Sequence, residues 1–123
     1  MPDEAWVDEL VAACNAFDGE KAGSFYAPDA VWRDEALDMN WEGRDAITEV
    51  WSTQTPAAIP DLHMDVAALV CSNDGLAVEW RMTGTMKDSG SKFDTPGVSV
   101  CHLRDGLIVK QTDYYNAADF HTQ

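Results

Sequence analysis

The sequence predicts an α+β fold, with helices covering one face of a curved antiparallel sheet. Apolar residues at helical spacing are confined to the first half of the chain, and residues after Pro60 alternate between apolar and polar. Glycine-containing turn signals separate the alternating segments, which is typical of strands joined by hairpins. Helices followed by strands in this order indicate a layered domain. At 123 residues, the chain is expected to form one domain over residues 1–123.

Three N-terminal helices are predicted from apolar spacing and end signals. The first carries Asp3 and Glu4 in its first turn, where acidic residues suit the positive end of a helix dipole, and it ends at Asp18-Gly19. Its apolar positions are Trp6, Val7, Leu10, Val11, Cys14 and Phe17. A second helix is expected from about Glu20 to Tyr26, before Ala27-Pro28. A third carries Ile47, Val50 and Trp51 on one face and is expected to stop near Thr55-Pro56.

The sheet is predicted from alternation. A short strand is expected at Ala30–Asp34, with a loop through residues 35–43. A four-strand meander follows, with strands at Leu62–Val70, Leu76–Met82, Phe93–Leu103 and Leu107–Asn116. Both faces of these strands carry apolar residues, whereas one helical layer covers a single face. We therefore expect a homodimer, with Trp80 and Met82 on the outer face that meets the partner.

Charge and composition exclude several classes of partner. The chain has 8 Lys and Arg against 22 Asp and Glu, a net charge of −14. Binding to nucleic acid and to anionic membranes requires cationic surfaces, so neither is expected. The N-terminus resembles no signal peptide, and the longest apolar run, Val66–Cys71, is too short to cross a bilayer. Three cysteines without a Cys-x-x-Cys motif indicate reduced, buried thiols and a cytoplasmic protein.

Motifs for common cofactors are missing from the sequence. It contains neither Gly-x-x-x-x-Gly-Lys nor Gly-x-Gly-x-x-Gly, and no histidine pair is spaced i, i+4. No cofactor and no metal are therefore expected. What remains is a set of ionisable residues within apolar strands: Asp34, Glu79, Arg81 and Asp113. A carboxylate in an apolar cavity is suited to acid–base chemistry, although an Arg81 ion pair with Glu79 or Asp113 that only stabilises the sheet is the alternative.

Several short stretches resemble one superfamily in order and spacing. They are Tyr26–Val31, Gly43–Ile47, Ala77–Thr85, Gly97–Val100, Arg104–Val109 and Asp113–Tyr115. The chain resembles the SnoaL-like polyketide cyclase branch of the nuclear-transport-factor-2-like superfamily, which also includes limonene-1,2-epoxide hydrolases and ketosteroid isomerases. The resemblance implies a cone, in which the curved sheet and the three helices enclose a deep apolar pocket, and it implies a dimer.

The resemblance also implies roles for individual residues. Asp113 falls on the last-strand Asp that serves as acid or base in the cyclases, and on the water-activating Asp of the epoxide hydrolases. Arg81 falls on the Arg of the hydrolase triad. Asp34 occupies the place of the ketosteroid isomerase base.

The sequence thus predicts an enzyme without a cofactor that removes a proton alpha to a carbonyl in a hydrophobic metabolite such as a polyketide. Asp113 is the expected acid–base residue, oriented and kept ionised by Arg81, with Asp34 as a second, protonated carboxylate. Residues expected to contact the substrate are Trp32, Glu79, Thr83, Ser99, Tyr115 and Trp51. The alternatives are an epoxide hydrolase or epoxide-opening cyclase, and a non-catalytic binding or docking module.

Overall fold

The computed structural model describes residues 2–121, so that Met1, Thr122 and Gln123 lie outside it. Its α-helices are α1 (Glu4–Asn15), α2 (Gly19–Gly23), α3 (Arg44–Glu49) and α4 (Thr55–Ala58). A π-helical segment, Val50–Gln54, joins α3 to α4 in one continuous helical run. The strands are β1 (Tyr26–Asp34), β2 (Met39–Glu42), β3 (His63–Cys71), β4 (Gly75–Thr85), β5 (Lys92–Arg104) and β6 (Leu107–Tyr115). A 3-10 helix, Ala117–His121, follows β6.

The two N-terminal helices begin at aspartate caps. The side chain of Asp3 accepts a hydrogen bond from the Trp6 backbone N–H, and Asp18 does the same for Lys21. An N-cap side chain of this kind satisfies a backbone donor that the helix itself leaves free. The second helix ends at Gly23 rather than near Tyr26, because Tyr26 already belongs to β1.

The third helical run is longer than the sequence predicts. It continues past Thr55-Pro56 to Ala58, because the π-helical segment precedes the proline. The Thr55 backbone N–H donates to the carbonyl of Val50, five residues earlier. Pro56 then lies in the first turn of α4, where a missing N–H is tolerated.

The six strands form one sheet in the order β2-β1-β6-β5-β4-β3, and the α+β fold class is confirmed. Two features of this sheet differ from the prediction. Residues within the expected loop form β2, which pairs antiparallel with β1. In addition, β1 lies parallel to β6, so that Asp34 is opposite Asp113 across the two strands. The helices cover one face of this sheet and enclose the hydrophobic core against it.

The face assignment for β4 is wrong and has to be reversed. Trp80 is buried and Met82 is half-buried, and both point into the enclosed core rather than toward a partner. Glu79 and Arg81 are exposed on the outer face, and Thr83 shares their side of the strand. The physical reason is that charged side chains are far more costly to bury than apolar ones. The strand therefore turns its uncharged side inward.

The outer face of the sheet also carries an apolar patch, but it does not consist of Trp80 and Met82. Val70, Val100 and Tyr114 are exposed large hydrophobic residues, and the Val70 side chain is 72% exposed. Ala77 pairs with both Val70 and Val100, so these two lie on adjacent strands to either side of it, and Tyr114 lies on β6 opposite Val98, two residues before Val100. One cysteine also departs from expectation: Cys14 and Cys101 are buried, but Cys71 is exposed at the end of β3. Within residues 2–121, no helix has the length and hydropathy to cross a membrane.

Candidate active site

A cavity of about 280 Å³ lies between the helices and the inner face of the sheet. Its wall is mainly apolar and includes all five tryptophans of the chain: Trp6, Trp32, Trp41, Trp51 and Trp80. The wall also includes the exposed residues Leu37, Gln54 and Ala58, so the cavity reaches solvent where they lie. Pockets for small ligands generally combine an apolar wall with a few placed polar groups. Here the charged groups in the wall are two carboxylates, Asp34 and Asp113.

Asp113 is buried on β6 and accepts hydrogen bonds from three side chains. Ser99 Oγ donates to Oδ1 at 2.6 Å, and Gln111 Nε2 donates to the same oxygen at 2.9 Å. Trp32 Nε1 donates to Oδ2 at 3.0 Å. The strand register explains the grouping, because Ser99 on β5 and Asp34 on β1 lie directly opposite Asp113. The carboxylate is therefore held in one orientation at the cavity wall.

Further buried groups support two of these donors. Trp80 Nε1 donates to Ser99 Oγ at 2.9 Å, so the Ser99 hydroxyl both accepts and donates. The Tyr26 hydroxyl donates to Gln111 Oε1, which leaves the amide nitrogen of Gln111 facing Asp113. Burial raises the pKa of Tyr26 well above its usual range, so this phenol stays protonated. The sequence prediction missed Gln111 and Tyr26 as support for Asp113; the signal was Gln111 itself, two residues before Asp113 on the same face of β6.

Burial raises the pKa of Asp113 to about 6. Hydrogen bonds from Ser99, Gln111 and Trp32 act in the opposite direction because they favour the charged form, and the nearby Asp34 raises the pKa further. A carboxyl group with a pKa near 6 exchanges protons readily at neutral pH. The sequence prediction expected an arginine to keep Asp113 ionised, and the structure contradicts that expectation.

Arg81 lies outside the cavity. Its guanidinium forms an ion pair with Asp94 on the outer face, and its side chain is 54% exposed. Arg81 therefore does not form the Asp-Arg-Asp arrangement of the epoxide hydrolases, and that alternative loses one of the residues on which it depends. Glu79 and Thr83 share the outer side of β4 and do not line the cavity either. Of the predicted site residues, the cavity wall brings together Asp113, Asp34, Trp32, Ser99, Tyr115 and Trp51.

Asp34 ends β1 and is bonded on both oxygens. Its Oδ1 accepts from the Leu37 backbone N–H at 2.9 Å, and its Oδ2 accepts from the Tyr115 hydroxyl at 2.6 Å. Burial and the hydrogen bond to Asp34 both raise the pKa of Tyr115, so its hydroxyl keeps its proton. The arrangement fixes the turn between β1 and β2 beside the cavity. Asp34 thus positions Tyr115 and the Leu37 loop.

The buried thiols and the acidic groups offer little for metal binding. Burial raises the pKa of Cys14 and of Cys101, so both thiols lining the cavity stay protonated. Over the part of the chain that the structure describes, His, Cys, Asp and Glu form no group of three or more that could hold a metal ion.

Comparisons with known proteins agree with this architecture. A family model for a SnoaL-like domain matches residues 7–111. No curated protein sequence matches the chain.

Solved structures with the same fold span nearly the whole chain. A ketosteroid isomerase-like protein from Catenulispora acidiphila, determined with trimethylamine, has a TM-score of 0.84 at 23% identity and covers 95% of this chain and 92% of its own. IdmH, a candidate polyketide cyclase from Streptomyces antibioticus, has a TM-score of 0.78 at 23% identity, and the match covers 94% of this chain and 92% of IdmH. A candidate polyketide cyclase from Xanthomonas campestris has a TM-score of 0.80 at 19% identity, covering 93% and 90%. At these identities, the likeness concerns the fold.

Proposed function

Because the chain belongs to the SnoaL-like domain family, we propose that it is an acid–base enzyme that removes a proton alpha to a carbonyl of a hydrophobic, ring-forming metabolite. The observation that carries the proposal is Asp113: a buried carboxylate with its pKa raised to about 6, in the wall of an apolar cavity. Activities vary widely within one fold, so the proposal depends on this site rather than on the fold. The candidate polyketide cyclases among the similar structures support a polyketide as the substrate class.

The free acceptor position on Asp113 is on Oδ2. A carboxylate offers about four acceptor positions, and three donors already bond to this one, two of them to Oδ1. Oδ2 accepts only the Trp32 N–H among these bonds and is the oxygen that takes the substrate proton. The C–H bond breaks, its electron pair moves into an enolate, and the proton passes to Oδ2. In ring closure, the enolate carbon attacks a second carbonyl of the substrate, the C=O π electrons move to oxygen, and the new alkoxide takes the proton back from Oδ2. In exchange without ring closure, the enolate carbon takes the proton back. Both routes return Asp113 to its ionised form.

Hydrogen–deuterium exchange tests this step without knowledge of the natural substrate. The probe is 2-tetralone, a compact bicyclic ketone, in D₂O at neutral pH with product deuteration read by NMR. We expect exchange above the buffer rate with the wild-type protein, and a loss of about 10²-fold or more with Asp113→Asn. Glu79→Gln, which removes an exposed carboxylate from the outer face, is the matched control and should exchange at the wild-type rate. Equal rates for wild type and Asp113→Asn would refute the proposal.

A second candidate function, non-catalytic binding of a hydrophobic ligand, is favoured by one observation. Three donors surround the Asp113 carboxylate, as they would in a structural carboxylate that never changes its protonation. The same experiment separates the two candidates. Binding of 2-tetralone by the wild type without exchange would support the binding module.

We keep the homodimer as a proposal, but its interface cannot include Trp80 and Met82, which lie inside the core. We propose that a second copy covers the outer face around Val70, Val100 and Tyr114, which is apolar and exposed in this chain. Sedimentation velocity should show a dimer for the wild type and a monomer for Val100→Glu, whose charge would be buried in the interface. A monomeric wild type at micromolar concentration would contradict this assignment.

A further inference from the structure

Trp51 holds a hydrogen-bond donor that the protein leaves without a partner. Among the described residues, its Nε1 is the buried side-chain nitrogen or oxygen that has no hydrogen-bond partner. The indole N–H can only donate, and Trp51 is 7% exposed, so bulk water does not satisfy it. Buried polar groups are nearly always bonded, and an exception calls for a specific explanation.

The neighbouring tryptophans in the cavity wall show what is unusual about Trp51. Trp32 Nε1 donates to Asp113 and Trp80 Nε1 donates to Ser99, so both of these N–H groups are used within the protein. The Trp51 ring stacks on Trp32, with ring centroids 5.9 Å apart and planes 7° from parallel. The unpaired donor thus belongs to the ring beside the one that bonds the proposed base.

The backbone at Trp51 is also irregular. Val50 and Trp51 begin the π-helical segment, and both side chains are buried and line the cavity. A π-helical turn holds one residue more than an α-helical turn, and such segments recur at functional sites. The wider turn thus lies at the residue whose indole stacks on Trp32.

We infer that the Trp51 N–H binds the oxygen of the ligand, so that the cavity selects apolar ring compounds bearing a carbonyl. The indole forms part of the cavity wall. Its Nε1 is covered in this structure, so the inferred binding includes a rotation of the ring that turns the N–H toward the cavity. Of the described residues, those that line the cavity include no Lys, Arg or His, so the acceptor oxygen meets a neutral donor. The use of this donor in turnover rests on the proposed function, whereas its role in binding does not.

The chemistry of the proposed step needs such a donor. Removing a proton alpha to a carbonyl transfers negative charge to the carbonyl oxygen, and donors aimed at that oxygen lower the barrier. The Ser99, Gln111, Trp32 and Tyr115 side chains all donate to carboxylates in the wall. Among the described residues of the wall, the Trp51 N–H is the buried nitrogen donor that is not already bonded.

A matched pair of ligands tests the inference by binding alone. The ligands are 2-tetralone and tetralin, which has the same ring system without the oxygen, and dissociation constants come from ligand-observed NMR titrations. In Trp51→Phe, which keeps a ring but removes the donor, we expect the affinity for 2-tetralone to fall about tenfold and that for tetralin to change less than about twofold. Trp41→Phe is the control, because it trims another cavity ring that contacts Trp32. It should affect both ligands equally.

The indole N–H spectrum of the wild type gives a second measurement that does not need a folded variant. One of the five indole resonances should move downfield with 2-tetralone and stay in place with tetralin. A parallel loss of affinity for both ligands in Trp51→Phe, a spectrum that responds equally to both, or a wild type that fails to bind 2-tetralone would overturn the inference. A selective loss of 2-tetralone affinity in Trp51→Phe, together with no exchange by the wild type, would contradict the proposed function alone. Exchange by the wild type with a parallel loss of affinity for both ligands in Trp51→Phe would contradict this inference alone.

Discussion

The raised pKa of Asp113 predicts how the stability of the fold depends on pH, and replacement by asparagine isolates the effect. The carboxyl group moves from an ordinary pKa of 3.8 to about 6 on folding. Since the folded state binds the proton more tightly, protonation stabilises it. This stabilisation is complete below the unfolded-state pKa and disappears as the pH rises through about 6. The shift corresponds to about 3 kcal/mol in total.

Urea unfolding, followed by tryptophan fluorescence, measures this dependence. Between pH 5.0 and 7.5, the range above the pI of about 4.2, we expect the wild type to lose about 1.4 kcal/mol relative to Asp113→Asn. Asparagine also places an amide N–H₂ near the donors that surround position 113, which adds an offset that does not vary with pH. Glu79→Gln should run parallel to the wild type. A flat difference between wild type and Asp113→Asn over this range would refute the assigned pKa.

Three further changes test the rest of the site. Ser99→Ala removes a donor that favours the ionised form of Asp113, so the midpoint of the pH–rate profile for exchange should move upward, with a rate loss at pH 6 of about threefold or more. Gly97→Ala should lower the unfolding free energy by about 1–3 kcal/mol in urea titrations, because its Cβ would lie 2.3 Å from the Trp80 ring. Arg81→Gln should leave the exchange rate unchanged and alter stability by less than about 0.5 kcal/mol, because its ion pair is solvent-exposed.

The fold could be predicted from the sequence where periodicity carries the information. The apolar spacing of α1 and the alternation in β3 to β6 are strong signals, and a glycine lies in or directly after each turn between those strands. β2 gave only a weak signal, because it has four residues that are mostly exposed, and the alternation of Met39 and Trp41 with two polar residues is too short to predict a strand. The parallel pairing of β1 with β6 joins segments far apart in the chain, and nothing local to either strand encodes it.

The site was harder to predict, because strands that are apolar on both sides leave the inner face ambiguous. The resemblance to the epoxide hydrolases placed Arg81 beside Asp113. The burial cost of charge gives the opposite answer, because Glu79 and Arg81 lie on the same side of β4 and the other side carries no charge. Gly97 also indicates which face of β4 points inward. It lies opposite Trp80, and its missing side chain leaves space for the Trp80 ring over the strand.

The hydrogen bonds around Asp113 favour its ionised form, and they also limit the number of acceptor positions that remain free on its oxygens. Burial favours the protonated form of Asp113, and the described residues of the cavity wall include no Lys, Arg or His that would oppose it with an ion pair. The three donors lower the pKa toward neutrality, so that most of the population is ionised at pH 7 with a pKa of about 6. The same donors occupy both lone-pair positions of Oδ1 and one of Oδ2. In the proposed reaction a substrate proton therefore has one acceptor position, on the oxygen that Trp32 bonds, and the Trp51 ring with its unpaired N–H stacks on that same Trp32.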